Sequence, residues 1–222
     1  MNLAHKNSRL GLVHITLLLS ILLASCAHVA PDPEATALPP ACRTDCITPY
    51  GEITGTAIGN VAAYSNCSAK CFVPTPNFVN KTYTGIKWQC VEYARRWLLV
   101  NKGVVYGDVD VAADIWSKID HVTRVADNKS IPLQAYLNGS NTAPQIGDLI
   151  IYAKEYLGTG HVAVITEVDT NAGTVKVAEQ NFLNQRWPAD YARVIRLVQN
   201  QGGYWLLDGY VLGWKRVGDV ET

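Results

Sequence analysis

The chain has 222 residues, 48% of them hydrophobic and 17% charged, which is enough apolar material for a buried core and excludes wholesale disorder. Lys plus Arg and Asp plus Glu both number 19, so the net charge is zero. That balance excludes the basic footprint of a protein built to hold nucleic acid and leaves no strong field for steering ionic partners.

At the N-terminus Lys6 and Arg9 precede an apolar run from Leu10 to Ala24, the anatomy of a secretory signal. The run is short for a membrane span, which needs about 20 residues, and His14 interrupts it. Leu23-Ala24-Ser25-Cys26 resembles the lipobox of bacterial lipoproteins. The resemblance implies a signal peptide over residues 1–25 and lipidation of Cys26, where several acyl chains together anchor firmly to a membrane. Ala27 in place of Asp implies, by analogy, the outer membrane and a domain facing the periplasm of the cell envelope. An ordinary cleaved signal with a cysteine nearby is the alternative. From Ala27 to Pro40 four prolines and little bulky apolar content make a semi-extended tether. Residues 26–49 are thus read as a lipidated tether carrying the first cysteine pair, and 50–222 as the folded domain.

Cys42, Cys46, Cys67 and Cys71 form two C-x3-C pairs and Cys90 is left over. Such spacings occur in zinc sites, but an exported chain favours disulfides, so two disulfides and no metal are expected. Connectivity stays open among three pairings; nesting Cys42 with Cys71 and Cys46 with Cys67 is one of them.

Residues Trp88 to Asn101 carry helical periodicity and Gly103 is a plausible stop. Cys90, Ala94, Trp97 and Leu98 share an apolar arc, with Glu92, Arg95 and Arg96 opposite. Cys90 therefore sits in the first turn, where free N–H groups and the helix dipole favour an anionic thiolate and offer donors for an oxyanion. A buried cysteine also serves as a small hydrophobe. A second helix is expected over Val109 to Ile119, with His121 in a surface loop after it.

Of the five histidines, His161 is the candidate base. It follows the turn Gly158-Thr159-Gly160 and opens the strand Val162 to Val168, although a half-exposed strand-end histidine needs no function. Asp169 to Gly173 reads as a turn and Thr174 to Asn181 as the returning antiparallel strand. If the register pairs His161 with Asn181, Glu179 lies one diagonal away on the same face. Either Glu179 or Asn181 then accepts the Nδ1–H of the imidazole and fixes its tautomer. A one-residue slip would undo this.

Gly85-Ile86-Lys87-Trp88-Gln89-Cys90-Val91-Glu92-Tyr93-Ala94-Arg95-Arg96-Trp97 closely resembles the nucleophile segment of CHAP amidases, above all the amidase half of glutathionylspermidine and trypanothione synthetase/amidases. Gly59 to Ser65, Ile131 to Gly139, Gly160 to Thr166 and Ala178 to Asn181 are similar in the same order, and ordered motifs are more specific than a lone Cys or His. The resemblance implies an α+β, papain-like CHAP fold with the nucleophile helix packed on an antiparallel sheet. It implies Cys90 as nucleophile, His161 as base, Glu179 as the orienting residue, Asn181 as polar support, and Arg95 and Gln89 as substrate-side residues. With the chain read to Thr222 it implies hydrolysis alone, without cofactor. The gate-like segment of those enzymes is replaced here by Cys67, Cys71, Pro74 and Pro76, so gating is not carried over. The expected substrate is an amide, either in peptidoglycan peptides, favoured by the envelope address, or in a polyamine conjugate. A non-catalytic lipoprotein that binds cell-wall peptides is the contrasting reading.

Overall fold

The computed structural model describes residues 38–219; the signal segment, Cys26 and the first part of the tether lie outside the described residues. A 3-10 turn at Pro40–Cys42 leads into two antiparallel hairpins, β1 (Ile53–Ala57) with β2 (Val61–Tyr64) and β3 (Pro76–Val79) with β4 (Thr82–Ile86). Then come α1 (Cys90–Lys102), β5 (Val104–Tyr106), α2 (Asp114–Lys118), β6 (His121–Arg124), β7 (Ser130–Leu137), β8 (Leu149–Tyr152), β9 (Val162–Asp169), β10 (Thr174–Ala178), β11 (Arg193–Asn200), β12 (Gly203–Leu207) and β13 (Val211–Val217). The last nine strands form one antiparallel sheet in the order β12-β11-β10-β9-β8-β13-β7-β6-β5.

Local chemistry sets the turns. Asn80-Lys81 and Gln201-Gly202 join their strands as two-residue loops with positive φ at both positions, the geometry whose twist matches paired strands. Asp169 Oδ1 accepts from the N–H groups of Asn171 and Ala172 at 2.9 and 2.8 Å, an Asx turn that reverses the chain between β9 and β10.

The central strands β8 and β9 are apolar on both faces. Leu149, Ile151, Val162 and Val164 pack under α1 with Tyr93, Ala94, Trp97 and Leu98. Ile150, Tyr152, Ala163 and Ile165 point the other way, into a second cluster with Val175, Val177, Ile195, Leu197, Leu206 and Trp214. Period-two alternation between two cores is what a strand covered on both sides requires. The sheet closes this second core by curling: Tyr204 N donates to Ser140 O at 2.7 Å and Leu206 N to Asn138 Oδ1 at 2.8 Å, bringing β12 back to the turn after β7.

The fold expected from the resemblance is corrected. Among the described residues the protein is mostly β, with a nine-stranded antiparallel sheet and two α-helices, and the α+β papain-like architecture does not describe it. Short strands such as β5 and β6 carry too few residues to show alternation, so they escape a sequence reading. The helix expected over Val109 to Ile119 shortens to α2, because Ala113 N is drawn to Thr159 O at 3.1 Å. His121 lies in β6, although its side chain is exposed as expected.

The helix α1 is closed by Gly103, whose φ of +66 lets its N–H reach the carbonyls of Leu98 and Leu99, the left-handed cap that favours glycine. Its expected polar face is also a correction: Glu92, Arg95 and Arg96 are all buried. Helix α1 is covered on that side by the two hairpins. Gly85 of β4 comes so close that a Cβ there would lie 2.9 Å from Glu92 Cα. The Glu92 carboxylate accepts from Asn77, Thr84, Arg96 and Gln180, the saturation a buried charge needs.

Candidate active site

Cys90 is the first residue of α1, after an extended Gln89 at φ −84 and ψ 157, and is 8% exposed. It is the one free cysteine among the described residues. The other four form the disulfides Cys42–Cys71 and Cys46–Cys67, the nested pairing. These bridges bind the segment Cys67 to Cys71 beside the head of α1. Asn66 Nδ2 donates to Cys71 O at 2.8 Å and to Asn181 Oδ1 at 3.1 Å, and Asn181 Nδ2 donates to Gln89 Oε1 at 2.9 Å.

His161 is placed by backbone constraints. Gly160 before it has φ +71, and a Cβ there would lie 2.5 Å from Tyr152 O, so only glycine lets β8 and the turn approach this closely. Tyr152 N donates to His161 O at 2.9 Å. The imidazole is buried among Tyr152, Phe182 and Tyr156, with ring centroids 5.4, 5.5 and 6.1 Å away. Its Nε2 lies 2.8 Å from Glu179 Oε2.

The register between β9 and β10 makes this contact possible. Lys176 pairs with Glu167, but after a bulge Val177 pairs with Ile165 and Ala178 with Val164. Projected past the end of the ladder, the shifted register sets Asn181 across from His161 and Glu179 one diagonal away. Bulges re-aim side chains in this way at sheet rims.

Electrostatically His161 and Cys90 are coupled. Burial opposes the imidazolium, but the hydrogen bond and charge of Cys90, followed by those of Glu179, outweigh it and raise His161 to about 9. With Nε2 taken by Glu179, Nδ1 is the ring nitrogen left for the thiol. The expected use of Nδ1 by the orienting group is therefore corrected: Glu179 holds Nε2. Burial pushes the Glu179 carboxyl upward, but His161 and Arg193 together hold it below the usual carboxylate range.

Cys90, His161, Gln89 and Asn181 line one cavity of about 670 Å³, together with Lys70, Phe72, Asp108, Asp110 and Tyr156. The structure thus gathers four of the six expected site residues at the cavity wall and places Glu179 behind His161. Asn181 bonds Gln89 and Asn66, not His161, so Glu179 alone orients the ring. Arg95 is a correction: it is 1% exposed and does not line the cavity. Its guanidinium donates to Thr84 O, Gly107 O and Asp108 Oδ1 at 3.2, 2.7 and 3.0 Å and lies over the rings of Tyr106 and Tyr83 at 4.8 and 5.5 Å. It holds the wall rather than the opening, because the β3–β4 hairpin covers the helix face that a wheel leaves to solvent. No group of three or more His, Cys, Asp or Glu among the described residues is placed to hold a metal ion.

Sequence reasoning missed Arg193, Tyr152, Asp208 and Phe182 around Glu179 and His161. One signal was available: Arg193 lies two residues before the buried Ile195 and four before Leu197, so alternation puts a charge on an apolar face. It missed Gln180 as well, whose Nε2 donates to Gln89 O at 3.2 Å and to Glu92 Oε2 at 3.1 Å, tying the end of β10 to α1.

Residues 81–181, the stretch that contains Cys90, His161, Glu179 and Asn181, match the CHAP domain family. The chain is 38% identical over 182 residues to the bifunctional glutathionylspermidine synthetase/amidase of Escherichia coli (strain K12), covering 75% of this chain and 29% of that protein. It is 38% identical over 160 residues to trypanothione synthetase of Crithidia fasciculata, covering 72% of this chain and 24% of that protein. Glutathionylspermidine synthase of the same organism is 33% identical over 187 residues, 77% of this chain and 26% of that protein. The chain thus spans less than a third of the length of these relatives. On these grounds residues 81–181 are similar to the CHAP domain family, and the chain is similar, over part of their length, to the glutathionylspermidine and trypanothione synthetases.

Proposed function

We propose that the protein is a cysteine-dependent amide hydrolase. One observation carries this reading: a free cysteine at a helix N-terminus, a buried histidine raised to about 9 by that cysteine and by Glu179, and an open cavity against both. In this reading Cys90 Sγ, as thiolate, attacks the amide carbonyl carbon, with negative charge passing to the carbonyl oxygen beside the N–H groups of the first turn. The C–N bond breaks as the His161 imidazolium gives its proton to the leaving nitrogen. Water then adds to the thioester while His161 takes its proton, the C–S bond breaks to return the Cys90 thiolate beside the imidazolium, and the acid leaves. Glu179 keeps the ring in place and favours its charged form through both halves.

The substrate is an amide whose amine portion carries positive charge, as in a polyamine conjugate. The Asp110 carboxylate at the cavity wall supports this, as do the names of the relatives. A peptide amide of peptidoglycan is the second reading, favoured by the lipobox-like segment ending at Cys26, which would anchor the domain by lipid in the cell envelope, facing the periplasm from the outer membrane. The test is incubation of the full chain, and of Cys90→Ala, with glutathionylspermidine and with purified sacculi. Release of free spermidine by the wild type alone supports the first reading, and release of peptides from sacculi the second. Equal product from wild type and Cys90→Ala, or none from either substrate, overturns the amidase reading.

A further inference from the structure

Arg193 begins β11 and reaches across the sheet end toward the site. Its Nε donates to Glu179 Oε1 at 2.6 Å and its Nη2 to Oε2 at 3.4 Å, so the guanidinium spans the carboxylate whose Oε2 also meets His161. The guanidinium is itself fixed on every side. Its Nη1 donates to Asp208 Oδ2 at 2.5 Å, its Nη2 to Tyr152 OH at 2.7 Å, and its carbon lies 4.2 Å from the centre of the Phe182 ring. Tyr152 OH in turn donates to Asp208 Oδ2 at 2.8 Å. Phe182 packs against His161, so the residue under the guanidinium also bounds the imidazole. At the adjoining ends of β8, β9, β10 and β11, which are neighbours in the sheet, Tyr152, His161, Glu179 and Arg193 form a polar row at one end of the second core.

We propose that Arg193 is a positioning residue for the Cys90–His161 pair, holding the Glu179 carboxylate so that Oε2 meets His161 Nε2 and balancing its charge. The proposal rests on the amidase reading of Cys90 and His161. A carboxylate that accepts from one partner can rotate about its terminal torsion, whereas a rigid guanidinium fork that reaches both oxygens removes that freedom. Buried without that cation, Glu179 would leave an uncompensated negative charge beside His161. The titratable and charged groups facing Glu179 are His161, Arg193, Tyr93 of α1, Tyr152 and Tyr156, and of these Arg193 is the only permanent cation.

The test is nitrogen-15 NMR of histidine-labelled full chain, following the His161 titration and the resonance of its Nε2 proton. Removing a nearby cation raises the proton affinity of the groups around it, so Arg193→Gln is expected to move the His161 midpoint up by about one pH unit. It is also expected to speed exchange of the Nε2 proton. Arg193→Lys keeps the charge but not the fork, so its midpoint stays near wild type while Nε2 proton exchange quickens. A merely structural residue would give neither pattern. An unchanged midpoint in Arg193→Gln overturns the proposal, as does an equal shift in both variants. Should Arg193→Gln fail to fold, the lysine variant decides, and a wild-type Nε2 proton there overturns it. Cys90→Ala separates the two claims: if it leaves the His161 midpoint where it was, the Cys–His reading fails, whatever the Arg193 variants show.

Discussion

Glu179 Oε2 stands 2.8 Å from His161 Nε2, leaving Nδ1 as the ring nitrogen for Cys90. This one contact depends on a β-bulge between Lys176 and Val177, on a glycine at 160 that no side chain could replace without collision, and on Arg193 behind the carboxylate. The imidazole therefore sits between two acidic groups, and its behaviour with pH follows from that.

His161 is raised from 6.5 to about 9, so its favourable interactions are fully present below the unfolded value and are lost as pH rises through about 9. The expected outcome is a fall in urea midpoint between pH 6.5 and 9.5 that is larger in the wild type than in His161→Ala. Hydrolysis should also decline above about pH 9, as the imidazolium that protonates the leaving amine is titrated away. A flat alkaline limb through pH 10 would contradict the assignment.

Glu179→Gln keeps the shape and removes the charge that Glu179 lends to His161. The His161 midpoint should fall, and turnover should drop by about 10²-fold, in line with loss of a positioned acid–base group. Steady-state kinetics of wild type and variant at pH 7 check this; near-wild-type turnover would show that the buried carboxylate has no part in the reaction.

The buried ion pair Glu92–Arg96 at 2.7 Å holds α1 to the hairpins through Asn77, Thr84 and the Ala62 carbonyl. Arg96→Met should cost about 3–5 kcal/mol, because it strands a carboxylate in the interior. Gly85→Ala should be severely destabilising as well, through its collision with the Glu92 backbone and a φ of +136. Urea unfolding of both variants measures the losses, and a change below about 1 kcal/mol in either would refute this account of the helix.

The disulfides close sequence separations of 29 and 21 residues and carry the cavity wall at Ala69, Lys70 and Phe72. Replacing Cys46 and Cys67 by alanine should lower stability by about 3 kcal/mol on the loop-entropy argument. It should also raise KM more than it lowers kcat, because the wall moves while Cys90 stays at the head of α1 and His161 at the mouth of β9. Thermal melts and kinetics of the double variant test both statements; unchanged KM would show that the wall takes no part in binding.

Arg95 gives the sharpest measure of what a helical wheel can know. Its position opposite the apolar arc was legible, but its burial was not, because covering a helix on its polar side is a decision of β3 and β4, whose packing the helix pattern does not encode. Asn181 was legible as a site residue through the strand expected over Thr174 to Asn181, which ends at Ala178, yet its partners are Gln89 and Asn66, set by how the disulfide-bound segment folds back.

The sequence by itself determined the candidates Cys90, His161 and Glu179 and the local geometry that displays them. A cysteine opening an amphipathic helix, a glycine stop at 103, a histidine after a glycine turn and a strand that returns to it are all local patterns, written by backbone stereochemistry and hydrophobic period. The tertiary structure alone decided the mostly β architecture, the choice of Glu179 over Asn181, the burial of Glu92, Arg95 and Arg96, and the placement of Arg193. Each of these depends on contacts between different elements, where packing and the need to satisfy buried charge select one partner among several that local pattern allows.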